Sequence, residues 1–156
     1  MTPTPPNPPS GWAGFWTRLR STADIDPEPY SYAISTNRWV SLTYALSGWL
    51  YMLRWQRNTR LQAAATLLVM AAAVLLRVSF VELAVLILTI SVVWMAEFIN
   101  AAVEAVVNLA SPQYHPMAKV AKDVAAAAVL LGVVASVLVG ALILGPPLLR
   151  VLGIGG

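Results

Sequence analysis

Long apolar runs alternate with short polar breaks along this chain, and the lengths of the runs suit helices. Leu61 to Val78 (LQAAATLLVMAAAVLLRV) is charged only at Arg77 near its end, long enough for a short membrane-spanning helix over 61–78. Ser79 followed by Glu82 has the spacing of a capping box and predicts a second helix over 80–110. A helix of that length rises about 45 Å, more than the roughly 30 Å of a bilayer's hydrocarbon core, so one end must emerge. Ser111-Pro112-Gln113-Tyr114-His115-Pro116 reads as a turn. A third spanning helix is expected over 116–144, with Pro116 in its first turn and Gly145-Pro146-Pro147 ending it, so that 146–156 is a C-terminal tail. Ala128, Gly132, Ser136 and Gly140 recur along it in the small-xxx-small pattern of close helix approach.

Before the first span the pattern changes. In 37–60, Trp39, Tyr44, Trp49, Tyr51 and Trp55 interleave with Arg38, Arg54, Arg57 and Arg60. Aromatic rings mixed with arginines mark an interfacial amphipathic helix near the headgroups. Residues 1–36 hold seven of the eleven prolines and read as a disordered Pro-rich cytoplasmic tail, without the basic start and apolar stretch of a secretory signal. The expected fold is therefore all-α and integral to the membrane: three transmembrane helices preceded by an N-terminal interfacial helix.

Polar residues interrupt the second helix on one face only. Asn100 lies about 60° around the helix from Glu97, and Glu104 and Asn108 about 20° each. Alanine, valine, isoleucine and phenylalanine fill the other faces. A carboxylate inside a membrane helix costs several kcal/mol unless it is paired, hydrated or metal-bound, so such a residue marks a functional site by default.

Composition narrows the chemistry. The chain is 58% hydrophobic and 11% charged over 156 residues, with no cysteine and a single histidine. Thiolate chemistry is excluded, and too few soft ligands exist for a structural zinc site. The net charge of +3 does not point to nucleic acid, because most basic residues flank the spans. Eight of the ten precede the first span or follow the second, leaving only Arg77 and Arg150 on the other side. This asymmetry predicts a multi-pass protein with its N-terminus and the polar end of the second helix in the cytoplasm.

The short turn then brings Glu104 and Asn108 near Lys119, Lys122 and Asp123. Carboxylates with a magnesium ion, lysines as point charges and one further carboxylate as proton acceptor are the parts that phosphoryl transfer needs. On spacing alone, the same set also reads as a buried polar network that locks the hairpin. Walker-type and kinase glycine-loop motifs are absent from the sequence.

The words Glu97-Phe-Ile-Asn100-Ala-Ala-Val-Glu104-Ala-Val-Val and His115-Pro-Met-Ala-Lys119-Val-Ala-Lys122-Asp123-Val-Ala-Ala-Ala-Ala-Val-Leu resemble the prokaryotic diacylglycerol kinase family. That family of small membrane lipid kinases includes the undecaprenol kinases. The resemblance covers 38–144 in plan and is closest over 94–131. It implies a homotrimer with composite sites between subunits, in a bacterial inner (plasma) membrane. The implied reaction uses Mg2+ and ATP to phosphorylate the hydroxyl of a membrane lipid, diacylglycerol or undecaprenol. Carried over by position, Glu97 matches the catalytic base, while Asn100, Glu104, His115, Lys119, Lys122, Asp123 and Arg57 match the nucleotide site. Glu104 also matches a metal ligand.

Two positions depart from the family's wording. Gln56-Arg57-Asn58-Thr59-Arg60 stands where E-R-N-x-R is usual, so Gln56 replaces a second metal-binding carboxylate. Asn108 replaces an Asp. Both residues offer a carbonyl oxygen without charge. A catalytically impaired or non-catalytic relative acting as a membrane binding or scaffold protein is therefore the alternative to a working kinase. A transporter is disfavoured, because one short polar stripe makes no continuous path across a membrane.

Overall fold

The computed structural model describes residues 38–154, so the proline-rich segment expected over 1–36 lies outside the described residues. Among the described residues four helices follow one another: α1 (Arg38–Trp55), α2 (Arg57–Leu75), α3 (Phe80–Ala110) and α4 (Pro116–Val151). No strand occurs among the described residues. From Ala45 onward the chain forms one compact unit, in which α3 and α4 make the main hairpin and α2 packs on both.

Three of the helices, α2, α3 and α4, are long and apolar enough to cross a membrane. Their packing fits lipid as the solvent. Among the described residues the buried apolar ones are few, Met52, Ala73, Leu86 and Val93, while large side chains such as Leu67, Phe80, Leu131 and Leu142 are exposed. In water such a surface would be a liability; in hydrocarbon it is ordinary, and helices associate through close packing and polar contacts. Gly132 supplies the close approach, since a Cβ there would lie 3.6 Å from Val93 Cγ2. Gly140, the last member of the small-residue stripe, has nothing within 4 Å of its own Cβ position.

Two expected boundaries are corrected. The break before the first span falls at Gln56, not at Arg60–Leu61. Gln56 adopts extended backbone (φ −94°, ψ 114°), and its carbonyl accepts from Arg60 N–H at 3.3 Å. Neither proline nor glycine marks this position, and polarity alone put the start of the span too late. Arg57 and Arg60 thus belong to the first turn of the spanning helix.

The third span is also longer than expected. Gly145-Pro146-Pro147 do not end it: α4 runs on to Val151, and 146–151 are helical instead of forming a tail. Proline removes an N–H donor and crowds the preceding turn, but membrane helices tolerate it where freed groups find other partners. The carbonyls freed here are those of Leu142 and Ile143, while Arg150 Nε, from the following turn, donates to Pro146 O at 3.4 Å. The actual stop is Gly153, at φ +70°. Its N–H reaches Arg150 O at 3.2 Å and Ile154 N–H reaches Leu149 O at 3.0 Å, the paired bonds of a Schellman termination.

The turn between α2 and α3 uses the same device with a different residue. Arg77 N–H bonds Val74 O and Val78 N–H bonds Ala73 O, both at 3.1 Å, with Arg77 in left-handed backbone at φ 53°. Ser79 then starts α3 through the expected capping box: Ser79 N–H donates to Glu82 Oε2 at 2.7 Å, and Glu82 N–H to Ser79 Oγ at 3.3 Å.

Candidate active site

α3 carries the centre of the site. Glu97 is 4% exposed and Asn100 is 9% exposed, an unusual depth for polar groups in a structure with so small a core. The side chain of Asn58, from the first turn of α2, lies beside the Glu97 carboxylate. One turn further on, Asn100 Nδ2 donates to Glu104 Oε1 at 3.2 Å. The helical spacing read from the sequence thus becomes a row of two carboxylates and an amide, with Asn58 joining it from the neighbouring helix.

This row is incompletely satisfied. Asn100 Oδ1 is buried without a partner among the described residues, as are Thr59 Oγ1 and Gln62 Nε2. Buried polar groups are normally hydrogen-bonded, so an orphaned acceptor beside two carboxylates calls for an explanation. A hard cation is a chemical match. Asn100 Oδ1 and the Glu104 carboxylate are oxygen donors of the type that magnesium accepts, and that ion usually takes one or two carboxylates and completes its shell with phosphate and water. The donors present fit such an ion on those terms.

α4 contributes a second set. Lys122 Nζ donates to Asn108 Oδ1 at 2.7 Å, which joins the last turns of α3 to the first turns of α4. Lys119 and Asp123 pair with each other one turn apart, both well exposed. Among the described residues, no hydrogen bond or ion pair links either of them to Glu97, Asn100 or Glu104. His115 is the N-cap of α4, its Nδ1 accepting from Met117 N–H at 3.2 Å. Gln56 is the half-buried N-cap of α2 and makes no side-chain capping bond. Arg57, beside it, is exposed. The structure therefore gathers Glu97, Asn100 and Glu104 and ties Asn108 to Lys122, and among the described residues no bond joins Lys119, Asp123, His115, Arg57 or Gln56 to Glu97.

Sequence reasoning missed an aromatic wall and the neighbour of Glu97. Trp49 of α1 lies 4.9 Å from Trp94 and 4.8 Å from Phe98, ring centre to ring centre, within the range of favourable aromatic pairs. Trp94 Nε1 donates to Thr66 Oγ1 of α2 at 3.1 Å. With Ser91, Met95 and Ile99, these rings line an open recess of about 450 Å³. Because Trp94 and Phe98 flank Glu97 on α3, apolar surface adjoins the carboxylate. The spacing of Trp94 and Phe98 was visible, but nothing in the sequence paired them with Trp49.

Comparison with known proteins matches residues 43–144 to the family described as prokaryotic diacylglycerol kinase. A diacylglycerol kinase of Synechocystis sp. is 42% identical over 123 residues, covering 78% of this chain and 70% of that protein. The undecaprenol kinase of Bacillus subtilis is 38% identical over 95 residues, covering 61% of this chain and 77% of its own. The diacylglycerol kinase of Escherichia coli K12 is 33% identical over 85 residues, covering 54% and 70%.

Proposed function

We propose that this chain, which belongs to the prokaryotic diacylglycerol kinase family, transfers the γ-phosphoryl group of ATP to the hydroxyl of a membrane lipid. The relatives named for diacylglycerol and for undecaprenol make these two alcohols the candidate acceptors. The observation that carries the reading is Glu97: a buried carboxylate on a spanning helix, flanked by lipid-compatible aromatic surface on one side and by Asn100 and Glu104 on the other.

In this reading Glu97 accepts the proton of the lipid hydroxyl as its oxygen bonds to the γ-phosphorus. The bond between that phosphorus and the β,γ-bridging oxygen breaks, and ADP leaves. Asn58 holds the Glu97 carboxylate in place, and the surrounding apolar side chains exclude water from the acceptor. Lys122, anchored on Asn108, presents an ammonium to phosphate oxygens. Asn100 and Glu104, with Gln56 as an uncharged donor, would hold Mg2+, which neutralises charge on the phosphates when bound. His115, Lys119, Asp123 and Arg57 complete the nucleotide site.

A single chain leaves Lys119 and Asp123 bonded only to each other. A homotrimer, in which α4 of one copy faces α3 of the next, would bring them to a Glu97. The exposed rings Trp39, Tyr44, Tyr51 and Trp55 suit α1 to the headgroup layer. Its arginines suit a cytoplasmic N-terminus in a bacterial inner membrane, where ATP reaches the Glu97 end.

The test is transfer of labelled phosphate from ATP to diacylglycerol or to undecaprenol by the purified chain in lipid. Turnover on either supports the reading; none on either at high magnesium refutes it. Gln56 favours a second reading, an impaired relative that binds without turning over. Activity appearing only in Gln56→Glu would support that one.

A further inference from the structure

The end of the hairpin far from Glu97 holds a second cluster that the kinase reading leaves unused. Arg77, in the turn between α2 and α3, and Arg150, in the last turn of α4, line a recess of about 280 Å³ together with Glu82, Leu142, Ile143 and the two prolines of α4. Glu82 and Glu97 are separated on α3 by a rise of about 22 Å, so the recess is remote from the candidate active site. Among the described residues neither arginine lies within ion-pair distance of a carboxylate, although Arg150 acts on the Glu82 carboxylate at longer range. Arg150 commits only its Nε, to Pro146 O. The carboxylate of Glu82, the one acidic group in the recess, is engaged by Ser79 N–H in the capping box.

Two further observations point to a ligand. Arg77 occupies the left-handed position of the helix stop, where glycine fits without penalty. A long cationic side chain is thus kept in a conformation that costs the backbone, and strain of this kind concentrates at binding sites. Pro146 and Pro147 lack the N–H groups that an α-helix would offer to the carbonyls of Leu142 and Ile143, and both of those residues line the recess. Paired guanidinium groups suit a phosphate, and carbonyls short of donors suit a hydroxyl.

We infer that this recess, between Arg77 and Arg150, binds the phosphate and hydroxyl groups of an anionic phospholipid headgroup at the membrane face opposite Glu97. The exposed Phe80, Leu142 and Val151 then lie where acyl chains would run. Nothing in this assignment depends on the kinase reading.

Titration of the full chain in detergent with phosphatidylglycerol and with phosphatidylcholine, read by native mass spectrometry, tests it. Phosphatidylglycerol should bind the unaltered chain more tightly than phosphatidylcholine. Arg150→Gln and Arg77→Gly should each weaken that binding about fivefold, the effect of one basic residue at a headgroup. Arg150→Lys should retain most of it. Arg77→Gly removes the charge while easing the backbone, so a loss there is not misfolding. Undiminished binding by both charge-removing variants would overturn the assignment, as would equal affinity of the unaltered chain for the two lipids. Displacement of the lipid by millimolar glycerol phosphate or inorganic phosphate would make this a site for free anions and also overturn it.

Discussion

Lys122 Nζ donates to Asn108 Oδ1 at 2.7 Å, fastening the end of α3 to the start of α4 across their turn. The bond is to a neutral amide where the family's wording has an Asp. Asn108→Ala should therefore cost about 1 kcal/mol, the net worth of one such hydrogen bond. Asn108→Asp should gain no more than about 1 kcal/mol, because a partly exposed ion pair is weak. Unfolding in mixed micelles by titration with dodecyl sulfate measures both.

Gln56 brings an oxygen without a charge to the start of α2, two residues before Asn58. Gln56→Glu should lower the magnesium concentration required for half-maximal turnover by about tenfold, the scale on which changes around a metal site act. A magnesium titration of variant and parent under saturating ATP checks this. An unchanged requirement would remove position 56 from the metal site.

Arg77 holds φ 53° at the stop of α2. Arg77→Gly should stabilise the chain by about 1 kcal/mol, because a side chain in left-handed backbone carries a penalty that glycine does not. Micellar unfolding without added anionic lipid checks this.

Much of this was legible in the sequence, for identifiable reasons. The capping box at Ser79 and Glu82 was legible because both partners lie within four residues. The polar row from Glu97 to Glu104 was legible because helix geometry fixes its angles. What depended on a second helix was not: that Asn58 would meet Glu97, or that Trp49 would pack on Trp94 and Phe98. Gly145-Pro146-Pro147 misled, because proline marks a stop in most helices while α4 ends instead at Gly153. The break at Gln56 left no trace in residue type.

Thr66 Oγ1 is the acceptor for Trp94 Nε1 in the aromatic wall. Thr66→Val keeps the shape and strands that N–H in an apolar setting, which should cost about 1–3 kcal/mol of stability. Thr66→Ser should keep the bond and lose much less. A comparison of their micellar unfolding midpoints separates the hydrogen bond from packing, and equal losses would deny the bond its weight.

The central claim is that Glu97 takes the proton of a lipid hydroxyl. Glu97→Gln keeps the size of the side chain and its amide contact while removing the base, so phosphate transfer from ATP to diacylglycerol or undecaprenol should fall by about a hundredfold or more. Folding and ATP binding should be preserved. Parent-like turnover in Glu97→Gln, on a lipid that the parent phosphorylates, would contradict the account.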